Sequence, residues 1–265
     1  MSKYDSLGDR MKKYEYVSRT YLTRKIPVII RLDGKAFHSF TRGMRKPFDR
    51  LLMTTMQETM KYLCDNIQGC VFGYTQSDEI TLVLTDYAKI DTDAWFGYNI
   101  QKMASVSASM ATLAFNKIFE ECVEEYRNLG VFESDEEYNR YCKKVGTALF
   151  DSRVFSLPVS EVCNCLIWRQ QDATRNSIEA VGQANFSHKE LHRKSCNEIQ
   201  EMLFTQRGIN WNDFSTDCKR GSCCYKVPVE IKKNDDGEPV IRNKFIIDTG
   251  IPIFTKDRDF VERFL

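Results

Sequence analysis

The sequence predicts an α+β fold built on a ferredoxin-like β-α-β-β-α-β unit, with added helices and a C-terminal hairpin. Three observations predict it: a β-branched run that ends at an Asp-Gly pair, two long helical stretches that each have apolar positions, and two short strands joined by a polar turn. Their order along the chain is the order of elements in that unit.

The first elements are a helix over residues 5–21 and a buried strand over the β-branched run 26–32, which ends at Asp33 and Gly34. Pro47 suits the first turn of the next helix, where the missing backbone N–H has no cost. The apolar face of that helix consists of residues spaced three or four apart: Leu52, Met56, Met60, Leu63 and Ile67. This face predicts packing of the helix against the sheet.

Beyond Gly69 the apolar period changes to that of strands. Residues 70–74 and 80–84 are predicted to be strands, with residues 75–78 as the turn between them. A long helix over residues 93–127 and a strand over residues 147–157 complete the unit. Near the C-terminus, residues 227–247 indicate a hairpin with a polar turn at 234–237.

This topology is expected to bring two carboxylates together. A right-handed crossover makes the first two strands parallel, and the hairpin makes the third strand antiparallel to both. If the third strand lies beside the first, Asp33 and Asp78 share one sheet edge. Either residue alone is typical of an ordinary turn. Together they favour a magnesium site as much as a pair of ordinary turns, since Mg²⁺ prefers oxygen ligands and uses one or two carboxylates.

Bulk properties exclude several classes of protein. The 265 residues are 42% hydrophobic and 28% charged, without an apolar stretch long enough for a membrane span, so we expect a cytoplasmic protein with no membrane partner. Ten cysteines with no secretory signal are expected to be reduced. Their spacing and that of His188 and His192 lack the pattern of a structural zinc site. A net charge of +1 leaves any RNA contact to local patches.

Several ordered segments resemble the tRNA-histidine guanylyltransferase family. They are Arg31-Leu32-Asp33-Gly34-Lys35-Ala36-Phe37-His38, Lys46-Pro47-Phe48-Asp49, Tyr74-Thr75-Gln76-Ser77-Asp78-Glu79, Phe150-Asp151-Ser152-Arg153 and Trp168-Arg169-Gln170-Gln171-Asp172. The resemblance covers roughly residues 8–225. It implies a polymerase-like palm in which the 3′-hydroxyl of an incoming nucleotide attacks an activated 5′ end of tRNA. We expect the chain to divide into a palm-like catalytic domain over 1–157 and a helical and hairpin extension over 158–265.

The resemblance also implies roles for individual residues. Asp33, the Gly34 carbonyl and Asp78 would bind two Mg²⁺ ions, and Glu79 would support these catalytic carboxylates. The nucleoside triphosphate, GTP or ATP, would contact the backbone of Asp33, Gly34, Lys35, Ala36, Phe37 and His38, together with Lys46, Ser77, Asp78 and Lys102. Candidates for contact with tRNA or with the triphosphate are Arg153, Arg169, Lys219 and Arg220, of which tRNA is the expected partner. A homotetramer is implied as well.

One departure from the family bears on the substrate. Eukaryotic members carry His-Ile-Asn-Asn after the Trp-Arg-Gln motif, whereas this chain has Thr174-Arg175-Asn176-Ser177. A second departure from the family pattern is Asn99, where the eukaryotic members tend to have arginine. The chain thus looks like the bacterial-type branch, which implies template-dependent 5′-end repair of tRNA. The alternatives are a dedicated tRNA-histidine enzyme, a palm-type nucleotide cyclase and a non-catalytic RNA-binding module.

Overall fold

The computed structural model describes residues 6–233 and 239–265, and its centre is a six-stranded antiparallel sheet. The strands are β1 (Val28–Gly34), β2 (Cys70–Gln76), β3 (Glu79–Leu84), β4 (Phe150–Ser156), β5 (Ser222–Lys233) and β6 (Pro239–Asp248). They are arranged in the order β4-β1-β3-β2-β5-β6, so β3 lies between β1 and β2. This arrangement confirms the predicted α+β class and the neighbours expected of a ferredoxin-like unit.

The helices of the described residues cover both faces of this sheet. They are α1 (Ser6–Val17), α2 (Phe37–Phe40), α3 (Arg50–Asn66), α4 (Ile100–Asn128), α5 (Asp135–Cys142), α6 (Val159–Asn185), α7 (His188–Leu191), α8 (Cys196–Arg207), α9 (Thr216–Arg220) and α10 (Asp259–Glu262). In the described part of the chain, no helix combines the length and the hydropathy that a membrane span requires.

Alternating residues of β1 supply the two sides of the hydrophobic core. Val28, Ile30 and Leu32 pack against α3 and α4, in a cluster that also contains the apolar positions predicted for α3. Ile29 points to the opposite face, where α6 and the C-terminal segment around Phe254 cover the sheet. Because the first half of β1 is buried on both faces, it consists of the β-branched residues Val28, Ile29 and Ile30.

Two helices begin later than the sequence indicates. Pro47 is not in the first turn of α3, which begins at Arg50 because the Asp49 side chain accepts the Leu52 N–H as its cap. Lys46 therefore lies in the segment that precedes this helix. The helix predicted from residue 93 begins at Ile100, after left-handed backbone at Phe96, Gly97 and Tyr98. The predicted helix over 5–21 ends at Val17, and residue 5 lies outside the described residues.

The C-terminal hairpin extends the main sheet. Its first strand, β5, begins at Ser222 and pairs antiparallel with β2, and β6 then pairs with β5. Residues 234–237, the predicted turn, lie outside the described residues. The expected palm-like domain (1–157) and the expected extension (158–265) thus contribute strands to one continuous sheet.

The cap of α3 generates a prediction about stability. Asp49 is 7% exposed and accepts hydrogen bonds from the amides of Arg45 and Leu52 and from the Tyr141 hydroxyl. Asp49→Ala should lower the free energy of unfolding by about 2–3 kcal/mol, because a cap and buried bonds are lost together. Urea unfolding of Asp135→Ala is the control, since Asp135 forms an exposed ion pair worth less than about 1 kcal/mol. Equal losses in both variants would contradict this account.

Candidate active site

The structure brings Asp33 and Asp78 to the same edge of the sheet. Asp33 lies near the end of β1 and is paired in register with Glu79, the first residue of β3. The Gly34 amide donates a hydrogen bond of 3.0 Å to the Asp78 carbonyl. Asp78 belongs to the two-residue turn between β2 and β3, so one backbone bond ties this turn to the end of β1.

The carboxylates of this edge interact through their charges. Burial raises the pKa of Asp78, and the charge of Asp33 raises it further. The Ser77 hydroxyl donates a hydrogen bond of 3.1 Å to Asp78 and opposes this effect. Two negative groups whose repulsion is incompletely compensated form a site that a cation would stabilise.

The potential metal ligands here are few. Within residues 6–233 and 239–265, no three His, Cys, Asp or Glu side chains are placed to share one metal ion. The predicted ligand set has only two carboxylates and the Gly34 carbonyl, which suits Mg²⁺ because that ion completes its octahedron with water and substrate phosphate. All ten cysteines are unpaired thiols.

The turn after β1 offers fewer amides than the sequence suggests. The N–H of Gly34 is bonded to Asp78 and that of Lys35 to the Leu149 carbonyl, at 2.8 Å. The next amides, from Ala36 to His38, have no acceptor among the described residues, and Ala36 has left-handed backbone at φ 56°. These three are the amides that remain for an anion.

Gly34 and Phe37 have structural roles in this turn. The Phe37 ring is buried and packs against the rings of Phe40 and Phe150. A Cβ atom on Gly34 would lie 2.3 Å from the Phe37 ring. The glycine is therefore needed because the ring crosses directly over it, a reason that the sequence did not reveal.

A cavity of about 270 Å³ opens beside the turn that carries Ser77. Its walls come from the segment before α3, the β2–β3 turn, α6 and α9. Lys46, Ser77 and Arg220 line it, all of which the sequence singled out. Asn176 and Ser177, from the stretch that departs from the eukaryotic family pattern, line the same cavity. That stretch therefore faces the candidate nucleotide site.

Lys102 is not brought together with Asp33 and Asp78. It lies in the first turn of α4, ten residues before Thr112, whose hydroxyl accepts the Phe150 amide at the active edge. Ten residues of helix span about 15 Å, which directs Lys102 toward the opposite end of the sheet. Asn99, which stands where the eukaryotic members tend to have arginine, caps α4 by accepting the Lys102 N–H.

Arg169 is not available to RNA, contrary to the expectation from its motif. Its side chain is 8% exposed and donates from Nε to Glu79 at 2.7 Å and from a terminal nitrogen to Asp172 at 2.9 Å. Burial raises the pKa of Glu79, and the Arg169 guanidinium opposes that rise. The pair joins α6 to the start of β3, directly beside Asp78.

The other basic candidates divide into two groups. Arg153 is exposed on β4 and pairs in register with Arg31 of β1, two residues from Asp33 on the same sheet face. The Arg31 guanidinium lies 5.3 Å from the centre of the half-exposed Trp168 ring. Neither Arg31 nor Trp168 was predicted as a site residue, although both belong to the motifs that resemble the family. Lys219 and Arg220 lie at the end of α9, and of the two only Arg220 lines the cavity.

Residues 8–158 match the family model described as Thg1, tRNAHis guanylyltransferase. The chain belongs to the tRNA(His) guanylyltransferase family. It is therefore a nucleotidyltransferase, as its motifs predicted. Among its relatives in this family, a probable tRNA(His) guanylyltransferase of Dictyostelium discoideum is 24% identical over 253 residues, covering 89% of this chain and 91% of the relative.

Solved structures support the same family and the predicted palm fold. A bacterial tRNA(His) guanylyltransferase (Thg1)-like protein in complex with ATP is 43% identical, with a TM-score of 0.82 over 98% of both chains. A bacterial Thg1-like protein in complex with GTP is 41% identical, with a TM-score of 0.77 over 98% of this chain and 99% of the other. The Saccharomyces cerevisiae enzyme, 21% identical with a TM-score of 0.64 over 92% of this chain and 99% of the other, shares the fold.

The buried pair of Arg169 and Glu79 generates a prediction for this family member. Arg169→Met should lower the free energy of unfolding at pH 7.5 by about 3–5 kcal/mol, because it leaves Glu79 charged and buried without a partner. The pKa of Glu79 then rises further, so the deficit is full above that pKa and shrinks as the pH falls through it.

Urea unfolding at pH 7.5 and pH 5 measures both effects. The double variant Arg169→Met with Glu79→Gln is the matched control, because it removes both charges and should recover much of the loss. Arg127→Met, which breaks an exposed pair with Asp135, should cost less than about 1 kcal/mol. A pH-independent deficit of the same size in the double variant would refute the buried-charge explanation.

Proposed function

We propose that this enzyme adds nucleotides to the 5′ end of tRNA in the 3′-to-5′ direction, with the opposing strand selecting each nucleotide. The observation that carries the proposal is the convergence of Asp33 and Asp78 at one sheet edge, beside a cavity lined by Lys46 and Ser77. The bacterial Thg1-like structures in complex with ATP and with GTP support a site for either triphosphate here.

Asp33, Asp78 and the Gly34 carbonyl would hold two Mg²⁺ ions. When bound, Mg²⁺ would supply neutralisation of the phosphate charge and orientation of the attacking and leaving oxygens. The donor set fits, since all three are hard oxygen ligands and since the charge of Asp33 already raises the pKa of Asp78. Glu79, engaged with Arg169, has a positioning role in this scheme, because it fixes the start of β3 beside Asp78.

The nucleotide would be held by its phosphates and its base in different ways. The amides from Ala36 to His38, the Ser77 hydroxyl and Lys46 would bind phosphate oxygens, as donors to negative charge. The nucleotide would occupy the cavity, with its base against the apolar side chains of Phe48, Met53 and Ala173. Apolar contacts of this kind do not distinguish one base from another, so base selection falls to the template.

The 5′ end of the RNA would approach from the sheet face that carries Arg31 and Arg153. These guanidinium groups lie on neighbouring strands, on the face of Asp33, and suit a terminal phosphate. The incoming 3′-hydroxyl oxygen would then bond to the activated 5′ phosphorus, and the activating group would leave. Arg31 and Arg153 would keep that phosphorus in line with the attacking oxygen.

We also propose a cytoplasmic location, as expected from the composition, and a homotetramer, as the family resemblance implies. Light scattering at several protein concentrations would give the mass of the assembly. A constant monomer mass would contradict the homotetramer and would leave the proposed nucleotide addition unaffected.

The metal assignment predicts that Asp33→Asn and Asp78→Asn each lower nucleotide addition by on the order of a thousandfold, because each removes a charged ligand that stabilises the transition state. The measurement is single-turnover addition to a 5′-truncated tRNA, with circular dichroism to verify folding. Asp65→Asn, which neutralises an exposed carboxylate on α3, should keep normal turnover. Near-normal turnover of either folded site variant would rule out the two-metal assignment.

Template dependence generates a separate prediction. In a tRNA that lacks its first 5′ nucleotide, changing the opposing base from C to A should switch the added nucleotide from G to U. The physical reason is that backbone, metal and apolar contacts leave base identity to pairing. Each triphosphate is supplied separately and the product is sequenced. Addition of G opposite either base, or activity only on tRNA-histidine, would identify a dedicated guanylyltransferase instead.

A further inference from the structure

The cavity beside Ser77 carries two cations that no carboxylate neutralises. Of its basic lining residues, Arg45 is paired with Glu137, at 2.8 Å between Nε and Oε1. Lys46 and Arg220 form no ion pair among the described residues. The Lys46 ammonium and the Arg220 guanidinium also have no hydrogen-bond partner among those residues. A ligand that enters between them meets two unpaired positive charges.

The acidic groups of the same lining are already engaged. Asp49 accepts the amides that cap α3, and Asp217 is bound to Arg50 at 2.7 Å. Each carboxylate therefore repels a bound anion less than a carboxylate without such partners would. The charge of the cavity lining favours a ligand with several negative charges.

The backbone of Arg220 is fixed to the strand that leads to Ser77. The Tyr74 hydroxyl donates a hydrogen bond of 2.7 Å to the Arg220 carbonyl. Gly221 follows with φ at +82°, and a Cβ atom there would lie 2.3 Å from the Thr75 carbonyl oxygen. The end of α9 thus contacts β2 directly at Thr75, two residues before Ser77, and this contact fixes the backbone of Arg220 beside the active edge.

Lys219, the neighbouring residue, is bound elsewhere. Its ammonium donates to the Asn212 carbonyl at 2.5 Å and lies 5.7 Å from the centre of the Trp211 ring. It stabilises the segment before α9 and does not line the cavity. The two adjacent basic residues, which the sequence predicted together as contacts of tRNA or triphosphate, therefore have different surroundings.

We infer that Arg220 binds the phosphate chain of the nucleotide in this cavity, opposite Lys46, and does not contact tRNA. This inference rests on the proposed function, because it adds a residue to the same nucleotide site. Arginine presents a planar fork that pairs with phosphate oxygens through two hydrogen bonds, so Arg220 makes affinity depend on the number of phosphates.

The test compares ATP, adenosine and tRNA as separate probes of the full-length protein. Arg220→Ala should raise the Kd for ATP in the presence of Mg²⁺ by about 10- to 100-fold, as expected for losing hydrogen bonds to a charged group. The Kd for adenosine and the Kd for tRNA should each stay within about twofold, since neither contact involves this side chain. Arg220→Lys should recover part of the ATP affinity, because it restores the charge without the fork.

Two further variants make the outcomes distinct. Lys189→Ala, which removes an exposed cation from α7, should leave all three constants unchanged. If Arg220→Ala weakens tRNA binding and leaves ATP binding intact, the inference is overturned and the RNA assignment returns. If Lys46→Ala weakens ATP binding and Arg220→Ala does not, the inference fails while the proposed function stands. If the wild-type protein binds no ATP, the proposed function fails and the inference fails with it.

Discussion

The antiparallel pairing of β1 with β3 is the interaction on which the candidate active site depends. It sets Asp33 opposite Glu79, and the next bond, from the Gly34 amide to the Asp78 carbonyl, fixes the turn that carries the second carboxylate. A register shift of one residue would turn Asp33 to the opposite face of the sheet, into the core against α3 and α4. Burial of both faces of β1 makes such a shift costly, so the core protects the site geometry.

A second link acts between the layers. Arg169 and Glu79 form a buried ion pair between α6 and the start of β3, and apolar side chains of α6 pack on the same sheet. Such a pair adds little net stability compared with apolar residues, but it restricts how α6 can sit on β3. Asp172 and Arg175 extend the network toward solvent. An arginine in a motif is therefore explained here by internal charge compensation.

The sequence was sufficient to predict those elements whose determinants lie within a few residues of each other. The alternation of β2 and β3 and the polar turn between them predicted the hairpin, and the β-branched run predicted β1 within two residues. The start of α3 was missed because its cap, Asp49, is held by Tyr141, 92 residues further along the chain. The burial of Arg169 was missed for the same kind of reason, since Glu79 lies 90 residues earlier. The left-handed residues before α4 carry little local signal beyond one glycine.

The pairing of β2 with β5 has a consequence for shortened forms of this protein. Residues 1–157 contain every strand of the β-α-β-β-α-β unit, yet a fragment ending there would leave β2 as an open edge, with its backbone donors and acceptors directed at solvent. The apolar sheet face that α6 and Phe254 cover would also become exposed to solvent. Open edges and wet apolar faces promote self-association. An excised palm would therefore collect in inclusion bodies, whereas the uncut chain shields both surfaces.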